Sequence, residues 1–420
     1  MASFNQTPAT NFNRSTPNDG NLLGSEYARL YENDAILKAE IDTLSAGLQT
    51  LETNVSNLNS TLTAAIAAKV SDVPNWAAPS TSVAPSQKAT NNRIRRFVQM
   101  FSGWFVDTWI TRTSAADNGW YGVCWSPQLK LFVAVSQGGT TNRVMTSPDG
   151  ITWTIRTTPN QTFNSVCWSP ELNLFVAVAQ SGTGNRVMIS ADGIAWASQT
   201  SAADNSWTSV CWSPQLNLFV AISYSGSGNR VMTSPNGTAW TIRTSAADNN
   251  WRSVCWSPQL NLFVAVADSG SGNRVMTSTD GITWVTRTSA ADNSWFGVCW
   301  SPELNLFVAV AQSGTGNRVM TSADGITWVT RTSAADNGWY AVCWSPELGI
   351  FVAVAGTGGA NRVMTSLDGI TWTYRNAAVA ANVWSNVCWS PELGTFVAVS
   401  STGTGNQVMT TGMLGKGYYP

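Results

Sequence analysis

From residue 120 onward the chain alternates short apolar runs with turn-forming residues, and the same four runs return again and again. In the first copy they are "YGVCWS" (121–126), "LFVAVS" (131–136), "RVMTS" (143–147) and "ITWTIRT" (151–157). In the last of these, Ile151, Trp153 and Ile155 fall on one side and Thr152, Thr154 and Arg156 on the other, the period-two pattern of a half-buried strand. Pro127, Gly138, Gly139 and the Asp149-Gly150 pair punctuate the connections. Residues 27–69 follow a different rule. Leu30, Leu37, Leu44, Leu51 and Leu58 occupy heptad position d, Tyr27, Ile41, Leu48, Val55 and Leu62 position a, with Asp34 the polar exception in the seam. The outer face is polar ("TNVSNLNSTLT", 53–63), so the seam needs a partner helix, and a coiled coil about 60 Å long is expected at about 1.5 Å per residue.

The repeat unit has one cysteine. Cys124, Cys167, Cys211, Cys255, Cys299, Cys343 and Cys388 are spaced 43, 44, 44, 44, 44 and 45 residues apart. Such regularity indicates one small buried side chain per structural repeat, in a protein folded in a reducing compartment, and not a disulfide framework. Four strands in about 44 residues, repeated in this way, predict a β-propeller. The seventh copy has three strands, "NVCWS" from 386, "TFVAVS" from 395 and "QVMTT" from 407, followed by "GMLGKGYYP". The missing fourth matches "DTWITRT" at 107–113, with Trp109 and Arg112 spaced as Trp153 and Arg156 are. The N-terminal strand should therefore complete blade seven, which removes the exposed sheet edge. The expected fold is an all-β seven-bladed propeller of four-stranded blades, preceded by an α-helical coiled-coil stalk. The expected organisation is an arm at 1–24, the stalk at 25–70, a linker and neck at 71–106 and the propeller at 107–420. "SDVPNWAAPSTSVAPSQKAT" (71–90) reads as a Pro/Ser/Ala linker, and "RIRRFVQMF" (93–101) as a neck packing against neighbouring subunits.

Composition narrows the function. Lys plus Arg number 23 against 24 Asp plus Glu, and charged residues make up 11 %, so a basic nucleic-acid-binding face is not expected. The 22 Trp residues and no His point to an aromatic, neutral polar surface lacking the commonest general base and zinc ligand. No apolar signal segment and no run of about 18 apolar residues is present, so neither secretion nor membrane insertion is expected. No phosphate loop, metal cluster or nucleophile-base pair is visible, so no cofactor and no metal are expected.

The stretch "TSPDGITW" resembles the Asp box, Ser-x-Asp-x-Gly-x-Thr-Trp, of sialidase-like and photosystem-assembly-factor-like propellers. Ser147, Asp149, Gly150, Thr152 and Trp153 match it, as do Ser322, Asp324, Gly325, Thr327 and Trp328, with one residue fewer between Asp and Gly, and Asn236 replacing Asp in the third repeat. The resemblance spans about residues 107–411. It implies a structural turn between third and fourth strands, and it speaks to fold more than to function. The sequence of polar arm, coiled coil, neck and globular tip resembles a bacteriophage tail fibre or receptor-binding spike. That resemblance implies a virion protein, a homotrimer through 27–69, attachment to other virion proteins through the arm, and a tip that binds a host-surface polysaccharide; the heptads alone also permit a dimer.

The loops joining fourth to first strands should cluster with the second-to-third loops on one face, opposite the side from which the leader enters. On that face the chain repeats "SAADN", giving Asp117, Asp204, Asp248, Asp292 and Asp336. An aromatic residue follows each time: Trp120, Trp207, Trp251, Trp295 and Trp339, with Phe163 and Trp384 in the other two repeats. The second-to-third loops end in Asn142, Asn185, Asn229, Asn273, Asn317, Asn361 and Asn406, six of them followed by an Arg and the seventh by Gln407. Carboxylate and amide groups bond paired sugar hydroxyls and an aromatic face stacks on a pyranose, so this set is a candidate glycan site, one per blade; the same residues also suit loop caps, wedges between blades and Arg–Asp pairs. Multiple weak sites on an oligomer give avidity. The residue after the aromatic varies most, as Tyr121, Asn164, Thr208, Arg252, Phe296, Tyr340 and Ser385, which fits either the tuning of a binding surface or an exposed position under no constraint. Catalysis is not expected. Glu171, Glu303, Glu347 and Glu392 exchange freely with Gln128, Gln215 and Gln259 in one turn, which a proton donor would not tolerate. A spacer or decoration fibre without ligand is the competing reading, and a sialidase-like hydrolase a third.

Overall fold

The computed structural model describes residues 32–39, 42, 43, 46, 50 and 106–411. The chain divides into two units, Met1–Pro85 and Ser86–Pro420. In the first unit the described residues are helical, with the Thr43 hydroxyl donating back to the Ala39 carbonyl at 2.7 Å and Leu37 46 % exposed. The rest of the expected coiled coil, the arm at 1–24 and the linker and neck through 105 lie outside the described residues.

The second unit contains strands β1 to β28, arranged as seven four-stranded antiparallel sheets. Blade 1 is β2 (Trp120–Ser126), β3 (Leu131–Ser136), β4 (Val144–Ser147) and β5 (Thr154–Arg156), and the pattern repeats to β25 (Thr373–Arg375). The last blade joins β26 (Trp384–Ser390), β27 (Thr395–Ser400) and β28 (Val408–Thr411) to β1 (Trp109–Arg112). The register runs from Trp109 opposite Thr411 to Arg112 opposite Val408, so the expected closure by the N-terminal strand is the observed one. Arg112 Nε donates to Thr410 Oγ1 at 2.9 Å, and Asp107 pairs with Arg375 at 2.7 Å. Val106 is buried in one cluster with Leu348 and Ile350, on the side of the first-to-second-strand turns.

Each blade buries its apolar side chains against the next. Trp251, Val254, Trp256, Phe263, Met276 and Trp284 of blade 4 form one layer with Val220, Ile222 and Val231 of blade 3. Burial of this kind on both faces explains why the second strand of each blade reads as an unbroken apolar run rather than an alternating one. The turn face adds a polar tie. Trp125 Nε1 donates to Glu392 at 2.6 Å, Trp168 to Gln128 at 2.7 Å, Trp212 to Glu171 at 2.6 Å and Trp256 to Gln215 at 2.7 Å, each reaching the blade before. A carboxylate and an amide oxygen both accept an indole N–H, which is why Glu and Gln alternate at this position.

The "S-x-D-G-x-T-W" stretch is the turn between third and fourth strands. Gly150 N donates to Ser147 Oγ at 2.8 Å, Ile151 N and Thr152 N both donate to Asp149 Oδ1 at 2.8 Å, and Trp153 Nε1 donates to the Gly150 carbonyl at 3.1 Å. Gly150 has φ of 74°, and a Cβ there would sit 3.1 Å from Val397 Cγ2, so glycine is required. Asn236 makes the same two backbone bonds through its amide oxygen, at 3.0 and 2.9 Å.

Burial pushes the Asp149 carboxyl up, but the N–H groups of Thr152 and Ile151 and the Ser147 hydroxyl outweigh it and hold the group below its ordinary value. The same balance lowers Asp192, Asp280, Asp324 and Asp368. A depressed carboxylate stabilises the fold above its unfolded-state value and loses that contribution as pH falls. The melting temperature is therefore expected to drop as pH falls below about 4, and a variant with Asn at all five positions, copying blade 3, should drop less over the same range in circular-dichroism melts.

Candidate functional site

The loop face carries the residues that the sequence nominates as ligand contacts, but it uses them to hold itself together. Asp204 Oδ1 accepts from Gly184 N at 2.6 Å, and Asp248, Asp292 and Asp336 accept in the same way from Gly228, Gly272 and Gly316. Asp117 accepts from Gly405 N at 2.5 Å across the ring closure. In each case the acceptor belongs to the segment leading into one blade and the donor to the second-to-third loop of the blade before. The Arg of that loop stands 3.6–3.7 Å from the same carboxylate in four blades, as in Arg186 with Asp204. The adjacent Asn completes a two-blade clamp. Asn205 Nδ2 donates to the Asn229 carbonyl at 2.8 Å, and Asn118, Asn249, Asn293, Asn337 and Asn382 do the same to Asn142, Asn273, Asn317, Asn361 and Asn406. Asn185 is the exception. Gln161 stands opposite it in the shorter loop, and Asn185 Oδ1 and Gln161 Oε1 are both buried without a partner.

The aromatic residues are the larger correction. Trp120, Phe163, Trp207, Trp251, Trp295, Trp339 and Trp384 are each 0 % exposed, and their rings lie in the layers between blades. The indole N–H of Trp251 is satisfied by the Ala247 carbonyl at 3.0 Å. No face of these rings is open to a sugar, because each fills the wedge that opens between neighbouring sheets near the loop face. The per-blade glycan site expected from the sequence is therefore not assembled.

What the ring does assemble lies one residue further on. In every blade the pairing of first and second strands slips once, between Trp207 and Ser209 for example, which makes the intervening residue the extra one of a β-bulge. The seven bulge residues are Tyr121, Asn164, Thr208, Arg252, Phe296, Tyr340 and Ser385, the position that varies most. A bulge turns its side chain out of the sheet pattern. All seven line one cavity of about 270 Å³ at the loop-face mouth of the central channel. A second set joins them from the ends of the second strands, including Gln137, Gln180 and Tyr224.

The cavity wall is not seven-fold symmetric. Asn164 Nδ2 donates to the Trp207 carbonyl at 2.7 Å, Thr208 Oγ1 to the Trp251 carbonyl at 2.7 Å and Ser385 Oγ to the Trp120 carbonyl at 2.6 Å, so these polar bulge residues tie one inner strand to the next. Blades 3 to 6 instead build a stacked arc. Arg252 lies between the rings of Tyr224 and Phe296, its Cζ 4.9 Å from each centroid, and Phe296 meets Tyr340 edge-on at 5.4 Å. Gly356 makes room, because a Cβ there would fall 2.5 Å from Tyr340 Cε2. Opposite stand the amides of blades 1 and 2, where Gln137 Nε2 donates to Asn164 Oδ1 and Gln180 lies alongside.

The cysteines line the innermost strands half-buried and all are free. Burial pushes every thiol up, Cys343 to about 12. Among the described residues no group of three or more His, Cys, Asp or Glu stands close enough to hold a metal ion.

No family model matches the chain, and no curated protein matches it in sequence. Solved structures do match. Virginiamycin B lyase from Staphylococcus aureus aligns with a TM-score of 0.59 at 11 % identity, covering 72 % of this chain and 97 % of that one. The likeness is one of fold. The propeller domain of Cps50 (Swd1) from Myceliophteria thermophila gives 0.53 at 12 % identity over 72 % and 99 %, and the GH74 enzyme of Niastella koreensis 0.55 at 13 % over 72 % and 53 %. These neighbours are propellers of differing role, so the shared architecture leaves function to the site.

Two outcomes follow from the burial. Trp251→Ala should destabilise the ring by about 3–5 kcal/mol in denaturant unfolding, the range for emptying a large aromatic site in a core. Burial disfavours the thiolate in every blade, so a thiol reagent at pH 8 should label the folded protein very slowly and take up seven equivalents once it is unfolded.

Proposed function

We propose that this chain is a fibre-type virion protein whose propeller binds a host-surface polysaccharide through the channel mouth, without turning it over. The observation that carries the binding reading is the coincidence of variation and geometry. Among near-identical blades, the most variable position is the bulge residue, and all seven bulge residues meet in one concave site. The wall offers flat aromatic surfaces on one side and amide donors and acceptors on the other, the mixture that holds a sugar ring by stacking and by paired hydroxyl bonds.

Support for the fibre is architectural. The heptads of 27–69 place Leu37 at d, and in the single chain that side chain is 46 % exposed, as expected of a seam that awaits partner helices. A trimer would present three channel mouths, and even weak sites gain from that arrangement. The neutral balance of 23 basic against 24 acidic residues suits an uncharged ligand surface better than a nucleic acid.

A glycan-array screen of the intact protein, beside a version beginning at residue 106, tests the reading. Binding by the intact protein that weakens at least about tenfold in the truncated one is expected from avidity. Silence on every glycan from protein shown to be folded by its melting curve would remove the binding reading and leave a spacer.

A further inference from the structure

We propose that the channel mouth takes a single uncharged sugar ring at the end of a glycan chain, and that Arg252 serves there as part of the aromatic wall rather than as an anion receptor. This inference rests on the glycan-binding reading above and specifies its ligand.

An arginine in a glycan pocket ordinarily suggests a carboxylate-bearing sugar, since its planar fork suits bidentate recognition. Here the fork is already engaged. Arg252 Nε and Nη2 both lie 2.6 Å from Asp268 Oδ2, with the two side chains only 25 % and 14 % exposed. The faces of the guanidinium are covered as well, by Tyr224 on one side and Phe296 on the other at 4.9 Å. The pair thus carries no net charge into the cavity, and the other residues lining the mouth are Tyr, Phe, Gln, Asn, Ser, Thr and small apolar residues. An incoming carboxylate would lose its water and meet the Asp268 charge behind the arginine, with no unpaired cation to compensate.

Size and shape point the same way. A volume of about 270 Å³ lies just under the usual range of about 300–1,000 Å³ for small-molecule pockets. Around the cavity the inner strands abut one another. The Val210, Val254 and Val298 N–H groups donate to Ser165, Ser209 and Ser253 Oγ of the preceding blades at 3.2–3.3 Å, which ties neighbouring inner strands directly together. At Gly122 and Gly297 a Cβ would fall 2.9 Å from backbone of the next blade. Contacts this close leave no lateral gap between neighbouring inner strands, and a cavity this small suits one ring, so the ligand is taken by its end. Its ring faces the Tyr224–Arg252–Phe296–Tyr340 arc, and its hydroxyls face Gln137, Asn164 and Gln180.

The test is a comparison, on one array, of chains ending in neutral hexoses with chains ending in uronic or sialic acid, for the native protein and for Asp268→Asn and Arg252→Gln. Native protein should favour neutral ends by at least about tenfold. Asp268→Asn frees the guanidinium and should raise binding to the acidic ends, while Arg252→Gln, which removes a piece of wall, should weaken neutral and acidic ends by similar factors. Native preference for acidic ends, or a loss confined to the acidic ends in Arg252→Gln with an unchanged melting temperature, would overturn the inference and leave glycan binding standing. Silence of the folded native protein on both classes would instead remove the reading on which it rests. Should Asp268→Asn fail to fold, Arg252→Gln and the native preference still decide the matter.

Discussion

A sheet that twists and is apolar on both faces must be covered on both faces, and among the described residues that cover is another copy of the same sheet. That constraint organises everything else. Seven blades wedge together through layers of Trp, Phe, Val and Met, and each layer belongs equally to two blades. A single blade would have no core. The aromatic residue at the head of each inner strand fills the widest part of the wedge, which is why it is wholly buried although the sequence places it beside a polar loop. The hydrogen bonds that reinforce the layers also cross between blades, from indole to Glu or Gln on the turn face and from glycine N–H to Asp on the loop face.

Such a framework explains how near-identical repeats can carry an individual site. The residues of the wedge and the clamps are under the same demand in every blade, so they are repeated. The bulge residue lies outside the wedge and is turned toward the axis where seven copies converge. Its identity is free to differ, and six residue types over seven positions give the mouth an aromatic side and an amide side that no single repeat possesses.

Much of this was legible in the chain itself. Strand count, blade count and the closing strand follow from period-two patterns and from matching "DTWITRT" to the fourth strand of the other copies. The turn chemistry of Ser147, Asp149 and Gly150 follows from residue type. The fate of the loop-face aromatics did not follow, because a Trp at a loop border looks the same whether it faces water or the next blade, and the partner that buries it lies in another repeat. A local signal was nevertheless present. The buried positions of the inner strand fall at Trp251, Val254 and Trp256, a step of three followed by a step of two, and that break in alternation marks the bulge. The pairing of Arg252 with Asp268 was beyond reach, since Asp268 lies just past the end of the neighbouring strand and its distance to the guanidinium depends on the register across the hairpin.

The closing strand has a mechanical consequence. Strand β1 is held to β28 by a four-residue ladder, with Arg112 bound to Thr410 beyond it and Val106 and Asp107 anchored at its start. A pull on residue 106 directed along the strand, away from the turn face, loads these bonds together in shear instead of opening them one after another. The leader of the chain is thus fastened to the ring by the geometry that resists tension best, and the force is passed through β28 into a sheet whose other members are already locked into the circle.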